Sequence, residues 1–199
     1  MVVQWTCMYR RLFIPALLAI ASLEATTLER LSVDDMVEKS TSIVRARVLS
    51  SEGELRNGSI FTHYRVLIQE NWKGHFAANK QTDLYVPGGL ANGMRQSIPG
   101  APVLENGDEY VLFVWAGASG RNQIIGLSQG LFSLVPQEDG SIQLERPGAK
   151  EMILDAKTGR PVLDSTIRMP FGELKTRVVT KLMEMQAQAN KAASSGASK

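Results

Sequence analysis

The sequence predicts an all-β, mainly antiparallel fold, a barrel or sandwich with a short helix ahead of the strands and a longer helix behind them. Three observations carry that prediction. Several short segments alternate apolar and polar residues with a period of two, the pattern of half-buried strands. Turn dipeptides, Asn57-Gly58 and Asn106-Gly107, separate them. No strand–helix–strand alternation occurs, which argues against a parallel sheet, and no internal repeat points to a propeller or solenoid.

The first segment of the chain reads as a targeting signal. Arg10 and Arg11 precede the apolar run LFIPALLAIA at 12–21. A positive flank, a short apolar stretch and small residues after it make a secretory signal peptide over 1–25, cleaved after Ala21 or Ala25. The run is too short to span a bilayer, so no membrane span is expected once it is removed. A buried helix would begin with two arginines and no cap. Cys7 is the only cysteine and precedes the run, so the exported chain, secreted or periplasmic, has no disulfide and no thiol chemistry.

The remaining residues, 26–189, form one domain followed by a disordered tail at 190–199. LSVDDMVEKS at 31–40 is a short helix capped by Ser32, with Asp35 three residues later and Met36 and Val37 facing a core. SIVRARVLS and IFTHYRVLIQE are strands joined at Asn57-Gly58, NWKGHFAANK is a loop, and TDLYVP is a third strand ending at Pro87. Residues 110–115, YVLFVW, are the most apolar strand and are expected at the centre. NQIIGL, GLFSLVP and SIQLE are short strands, and MILDAKTGRPVL is a hairpin. Pro170 introduces a helix to about Gln188, with Leu174, Val178, Leu182 and Met185 on one face. The expected core contains Val44, Val48, Val66, Val111, Phe113 and Phe132.

Between Val86 and Glu109 lie about twenty residues, a length that is usually functional or structural cover rather than idle loop. This stretch, GGLANGMRQSIPGAP at 88–102, is no phosphate cradle. It lacks Gly-Lys-Ser/Thr, two prolines remove amides, and a strand rather than a helix follows. Leu90, Met94, Arg95 and Ile98 make it an adhesive surface for a protein or polysaccharide partner. The alternative is a lid folded over one end of the barrel. A second candidate surface is Trp72, Lys73 and Phe76, aromatics beside a cation.

No catalytic constellation is visible, so no enzyme is expected, and none of the residues call for a cofactor or metal. His63 and His75 lie twelve positions apart with no zinc spacing. Ser128 sits in GLSQG, which resembles a nucleophile elbow only superficially because a strand-like LFSLV follows. Asp34, Asp35 and Glu38 suit a helix start. A net charge of +2 over 199 residues, 44% hydrophobic and 21% charged, gives no nucleic-acid footprint.

IVRARV, E-x-x-KG at 70–74, VPGG at 86–89, GDEYVLF and GLSQGLF together resemble a family of uncharacterised secreted bacterial proteins, over residues 31–135. In some relatives this module looks fused to a matrixin-type protease. This chain has no zinc motif, so protease activity does not follow. The order of helix, strands and KG is also similar to netrin-like and tissue-inhibitor-of-metalloprotease domains. That resemblance implies an OB-like β-barrel, without the cysteines those domains use to inhibit. The resulting expectation is a secreted or periplasmic, non-catalytic binding module. The alternatives are a hydrolase with an unrecognised site or a structural cell-envelope protein.

Overall fold

The computed structural model describes residues 28–117, 119–149 and 151–196. The signal peptide expected at 1–25, with both cleavage positions, and Cys7 lie outside the described residues. The chain starts with β1 (Leu28–Glu29) and α1 (Val33–Lys39). Ser32 caps α1: its hydroxyl accepts the Asp35 amide, and the Asp35 carboxylate accepts the Ser32 amide at 2.9 Å, a reciprocal box that satisfies two otherwise orphaned donors. The Ser32 hydroxyl, which donates to the Asp35 carboxylate at 2.6 Å, and the Ser32 amide outweigh burial and hold the Asp35 carboxyl below its usual range. Then come β2 (Ser42–Arg56), β3 (Ser59–Lys73), β4 (Gln81–Pro87), β5 (Gly89–Ala91) and β6 (Met94–Gln96). They are followed by β7 (Glu109–Ala116), β8 (Asn122–Ile124), β9 (Leu131–Pro136) and β10 (Ile142–Arg146). Short strands β11 (Ile153–Leu154), β12 (Pro161–Val162) and β13 (Ile167–Pro170) lead into α2 (Phe171–Gly196).

Eight strands form the main sheet in the order β13-β10-β9-β7-β2-β3-β4, with β8 added to β7, and every ladder in it is antiparallel. The expected fold class holds as a mostly antiparallel sheet with two helices, but the sheet is not closed. Among the described residues no ladder joins β4 to β8. Where the two approach, the Asn122 side-chain amide donates to the Asp83 carbonyl oxygen at 3.0 Å. Three-residue β8 is too short to make a seam, and the chain leaves it through Gly126, whose φ of 59° starts a 3-10 turn.

Both faces of the sheet are covered near its centre. On one, Val44, Ala46 and Val48 of β2 pack with Tyr64, Val66, Ile68, Leu84, Leu112 and Val114. On the other, Ile43, Val111, Phe113, Phe132 and Leu144 pack beneath Met36 and Val37 of α1 and Leu174 and Val178 of α2. Alternate β7 side chains therefore enter two cores, which is why YVLFV is an unbroken apolar run. All six expected core residues are buried, and Leu182 and Met185 are partly buried against the second core as expected.

Between Val48 and Ser50 the β2–β3 register shifts, leaving Leu49 as a bulge. On the N-terminal side of the bulge β2 pairs with both β7 and β3. Beyond it β2 pairs with β3 alone and is exposed along its length, with Glu54 half-buried. Glu52 and Glu54 charge this open edge and guard it against pairing with other chains.

Three expectations change. β3 runs through Lys73, so Trp72 and Lys73 belong to a strand and not to a loop. The stretch at 88–105 contains the hairpin β5–β6. α2 continues to Gly196 where a tail was expected from residue 190, because Lys191, Ala192 and Ala193 are good helix formers and no stop signal precedes Gly196. Residues 197–199 lie outside the described residues. The parallel pairing of β1 with β11 had no signal in the sequence.

Candidate functional site

The hairpin β5–β6 is built by its glycines. Asn92 (φ 52°) and Gly93 (φ 76°) both take the left-handed conformation of a type I′ turn. Gly89 has φ 127°, and a Cβ there would lie 2.4 Å from the Thr62 hydroxyl oxygen. Across the contact, a Cβ on Gly53 of β2 would lie 1.7 Å from the Leu90 carbonyl oxygen. The hairpin backbone therefore rests directly on the outer part of the β2–β3 pair, and any side chain at position 53 would push it off.

Its two faces do different things. On the inner face Ala91 is buried and the Gln96 amide oxygen accepts the Ile60 amide at 2.6 Å. The Thr62 hydroxyl donates to the Gly88 carbonyl at 2.9 Å. On the outer face Leu90 and Arg95 stand directly opposite each other, whereas Met94, opposite Ala91 beside the turn, belongs to the inner face at its open end. Leu90 is 59% exposed and Met94 50%. Arg95 is exposed and forms no ion pair among the described residues. A cleft of about 250 Å³ separates the hairpin from the segment at 98–103. Leu90, Arg95, Ile98, Val103, Thr62 and Tyr64 line it. Val103 is 73% exposed. Burial pushes the Tyr64 phenol up, although its oxygen accepts the Leu104 amide at 3.3 Å.

The structure thus brings Leu90, Arg95 and half-buried Ile98 to one cleft, while Met94, next to Arg95 in β6, lies outside that lining on the face it shares with Ala91. Trp72, Lys73 and Phe76 are not part of the cleft, and each is engaged in packing. Trp72 meets the Phe171 ring edge-on at 5.5 Å and donates its indole N–H to Glu70. The Lys73 ammonium donates to the Val37 and Glu38 carbonyls at 2.6 and 3.1 Å, closing the C-terminal end of α1. Burial brings the Lys73 pKa down. Phe76 packs against the first core. The sequence reading missed Gln96 and Gly53 as the anchors of the hairpin, and Val103 as a wall of the cleft. The Asn92-Gly93 dipeptide was the available signal.

Other groups with chemical potential are occupied. His63 has Nε2 2.8 Å from Asp83 and Nδ1 3.7 Å from Glu52, and its ring stacks on Tyr85 at 4.8 Å. Nε2 is engaged by Asp83, whereas Glu52 lies beyond hydrogen-bond distance of Nδ1. Ser128 lies in the 3-10 turn Leu127–Gly130, not in a strand-to-helix elbow. The turn's buried side chain, Gln129, accepts the Leu31 amide through its amide oxygen and donates to the Glu29 carbonyl, and Gly130 beside it is buried too. Asp34 and Glu38 pair with Arg177 and Lys181, tying α1 to α2. Among the described residues no three metal-ligating side chains cluster, and no helix is long and apolar enough to cross a membrane.

The densest ionic network lies on the sheet itself. Glu109 accepts from Arg45, Arg47 and Gln69, while Arg45 also donates to Glu70. Burial pushes the Glu109 carboxyl up, but the three hydrogen bonds and the Arg45 charge outweigh it and bring it down to about 2. Lys175 also donates to Glu70, so each cation of the network is engaged with a carboxylate. No protein-family model matches the chain, and no curated protein is similar enough to match it.

Proposed function

We propose that this protein is an exported, non-catalytic binding module, secreted or periplasmic, whose protein partner docks on the outer face of the β5–β6 hairpin. One observation carries the reading. Leu90 is held in solvent opposite a guanidinium that has no ion pair among the described residues, on a hairpin whose other face is anchored by Ala91 and Gln96, and Met94, paired with Ala91 beside the turn, is half exposed. Exposed apolar side chains mixed with arginine on a rigid support are what protein interfaces use at their centres. They favour a protein partner over a polysaccharide. Export follows from Arg10, Arg11 and the apolar run behind them.

In this reading β4, β3, β2, β7 and β8 curl around the first core as an OB-like barrel whose seam runs between β4 and β8. The outer β2–β3 pair then projects as the arm that carries the hairpin. The test is affinity capture from the exported fraction of the producing cell, with the parent protein and with Leu90→Ser/Met94→Ser as baits. The parent should retain a saturable protein partner that the variant loses. Equal capture by both baits would move the binding surface elsewhere, and capture of polysaccharide alone would refute the protein partner.

A further inference from the structure

The cleft beside the hairpin narrows the chemistry of the partner. Its lining is mixed: Leu90, Ile98 and Val103 supply apolar walls, Thr62, Gln96 and Ser97 are polar, and it carries one cation, Arg95. That cation has no carboxylate partner among the described residues, unlike Arg45, Arg47, Arg146, Arg168 and Arg177, each of which is paired. Ser97 and Ile98 lie in the same wall, and their amides donate to no protein acceptor among the described residues. Pro99 disfavours a helical Ile98, and the wall then turns at Pro99-Gly100, where the Ala101 amide donates to the Ile98 carbonyl at 3.1 Å.

We infer that this cleft receives the C-terminal residue of an extended protein chain, with an apolar side chain against Leu90, Ile98 and Val103 and the terminal carboxylate on Arg95. The argument is geometric. Leu90 and Arg95 are cross-strand partners on one face, so their side chains leave the sheet only about 5 Å apart. An apolar C-terminal residue carries an apolar group and a carboxylate on the same α-carbon, at a matching separation. An internal acidic residue offers the charge without the adjacent apolar group. At about 250 Å³ the cleft is smaller than the roughly 300–1,000 Å³ typical of whole-ligand pockets, and so suits the end of a chain. Guanidinium and free amides together are the usual means of holding a terminal carboxylate.

This inference rests on the binding reading above, and the experiment separates the two. The probe is a fluorescein-labelled hexapeptide, Gly-Ser-Gly-Ser-Val-Leu, prepared as the free acid and as the C-terminal amide, titrated by fluorescence anisotropy. The free acid should bind about tenfold or more tightly than the amide. Arg95→Gln should abolish that preference, Arg95→Lys should retain part of it, and Leu90→Ser should weaken both forms. Circular dichroism establishes that each variant is folded. Equal binding of acid and amide, no binding of either, or a preference that survives Arg95→Gln overturns the carboxylate assignment. If partner capture still depends on Leu90 and Met94 in those cases, the binding surface stands and only its ligand chemistry is wrong.

Discussion

β2 is one strand with two environments. From Ser42 to Val48 it has ladders on both sides along most of its length, and its side chains enter two cores. From Ser50 to Arg56 it has one ladder partner and almost every side chain is in water. The Leu49 bulge divides them. The comparison teaches that backbone pairing and stabilisation are separable. Exchanging water for ladder hydrogen bonds contributes little net stability, whereas burying apolar surface contributes much. The outer half can therefore carry a presented surface without the sheet depending on it.

The largest effect should come from attacking the inner half. Val111 is fully buried on β7, and Val111→Asp should lower the unfolding free energy by about 4 kcal/mol or more, or prevent folding, because a charge is buried without a partner. Leu55→Asp in the outer half should change it by less than about 0.5 kcal/mol. Urea denaturation of both variants checks the contrast, and equal losses would break it.

Next in size is a buried ion pair that ties β10 to the segment before β13. Arg146 and Asp164 are 3% and 1% exposed in their side chains and meet through two hydrogen bonds of 2.9 and 3.0 Å. Burial pushes the Asp164 carboxyl up, but the bonds from Arg146 and Ala149 hold it below its usual range. Asp164→Ala should cost about 3–5 kcal/mol by stranding the guanidinium. Arg146→Met combined with Asp164→Leu should recover most of that loss. If the double variant is no more stable than the single one, the charge is not what makes the single change costly.

The Glu109 network makes the inner half sensitive to acid. Its folded pKa, about 2, lies below the ordinary 4.5. The stability it contributes is therefore fully present above about pH 4.5 and is lost as pH falls towards 2. Over that window the unfolding free energy should drop by about 1–3 kcal/mol through this group. Glu109→Gln should flatten the pH profile there. A slope unchanged in the variant would assign the acid sensitivity to other carboxylates.

Much of this division was legible in the sequence. Period-two alternation located β2 and β3, and the unbroken apolar run at 110–115 located β7 at the centre of the sheet. Leu174, Val178 and Leu182 showed which face of α2 would dock. Less legible were features set by contacts distant in sequence. Gly53 looks like any strand glycine until Leu90 lies across it. Gln96 looks like a loop residue until Ile60 needs an acceptor. Trp72 and Lys73 read as an exposed aromatic and cation because Phe171 and the end of α1 are far away in sequence. The hairpin at 89–96 was the one local signal passed over, since the surrounding glycines and prolines obscured Asn92-Gly93.

The smallest effect concerns the end of α2. Residues 189–195 are all exposed, so ending the chain after Ala189 should change the unfolding free energy by less than about 0.5 kcal/mol, as thermal melts would show. A larger loss would mean that the last turns of the helix contribute to packing.

The central claim is that stability resides in the inner half of the β2–β3 pair and presentation in the outer half. Native-state hydrogen exchange, resolved by residue across a urea series, tests it most directly. Hydrogen-bonded amides at 43–48 and in β7 should exchange only through global unfolding. Those at 50–56 should exchange through local opening, at a free energy lower by at least about 2 kcal/mol and with little urea dependence. If both halves of β2 exchange at one free energy with one urea dependence, the pair is a single cooperative unit and the account is wrong.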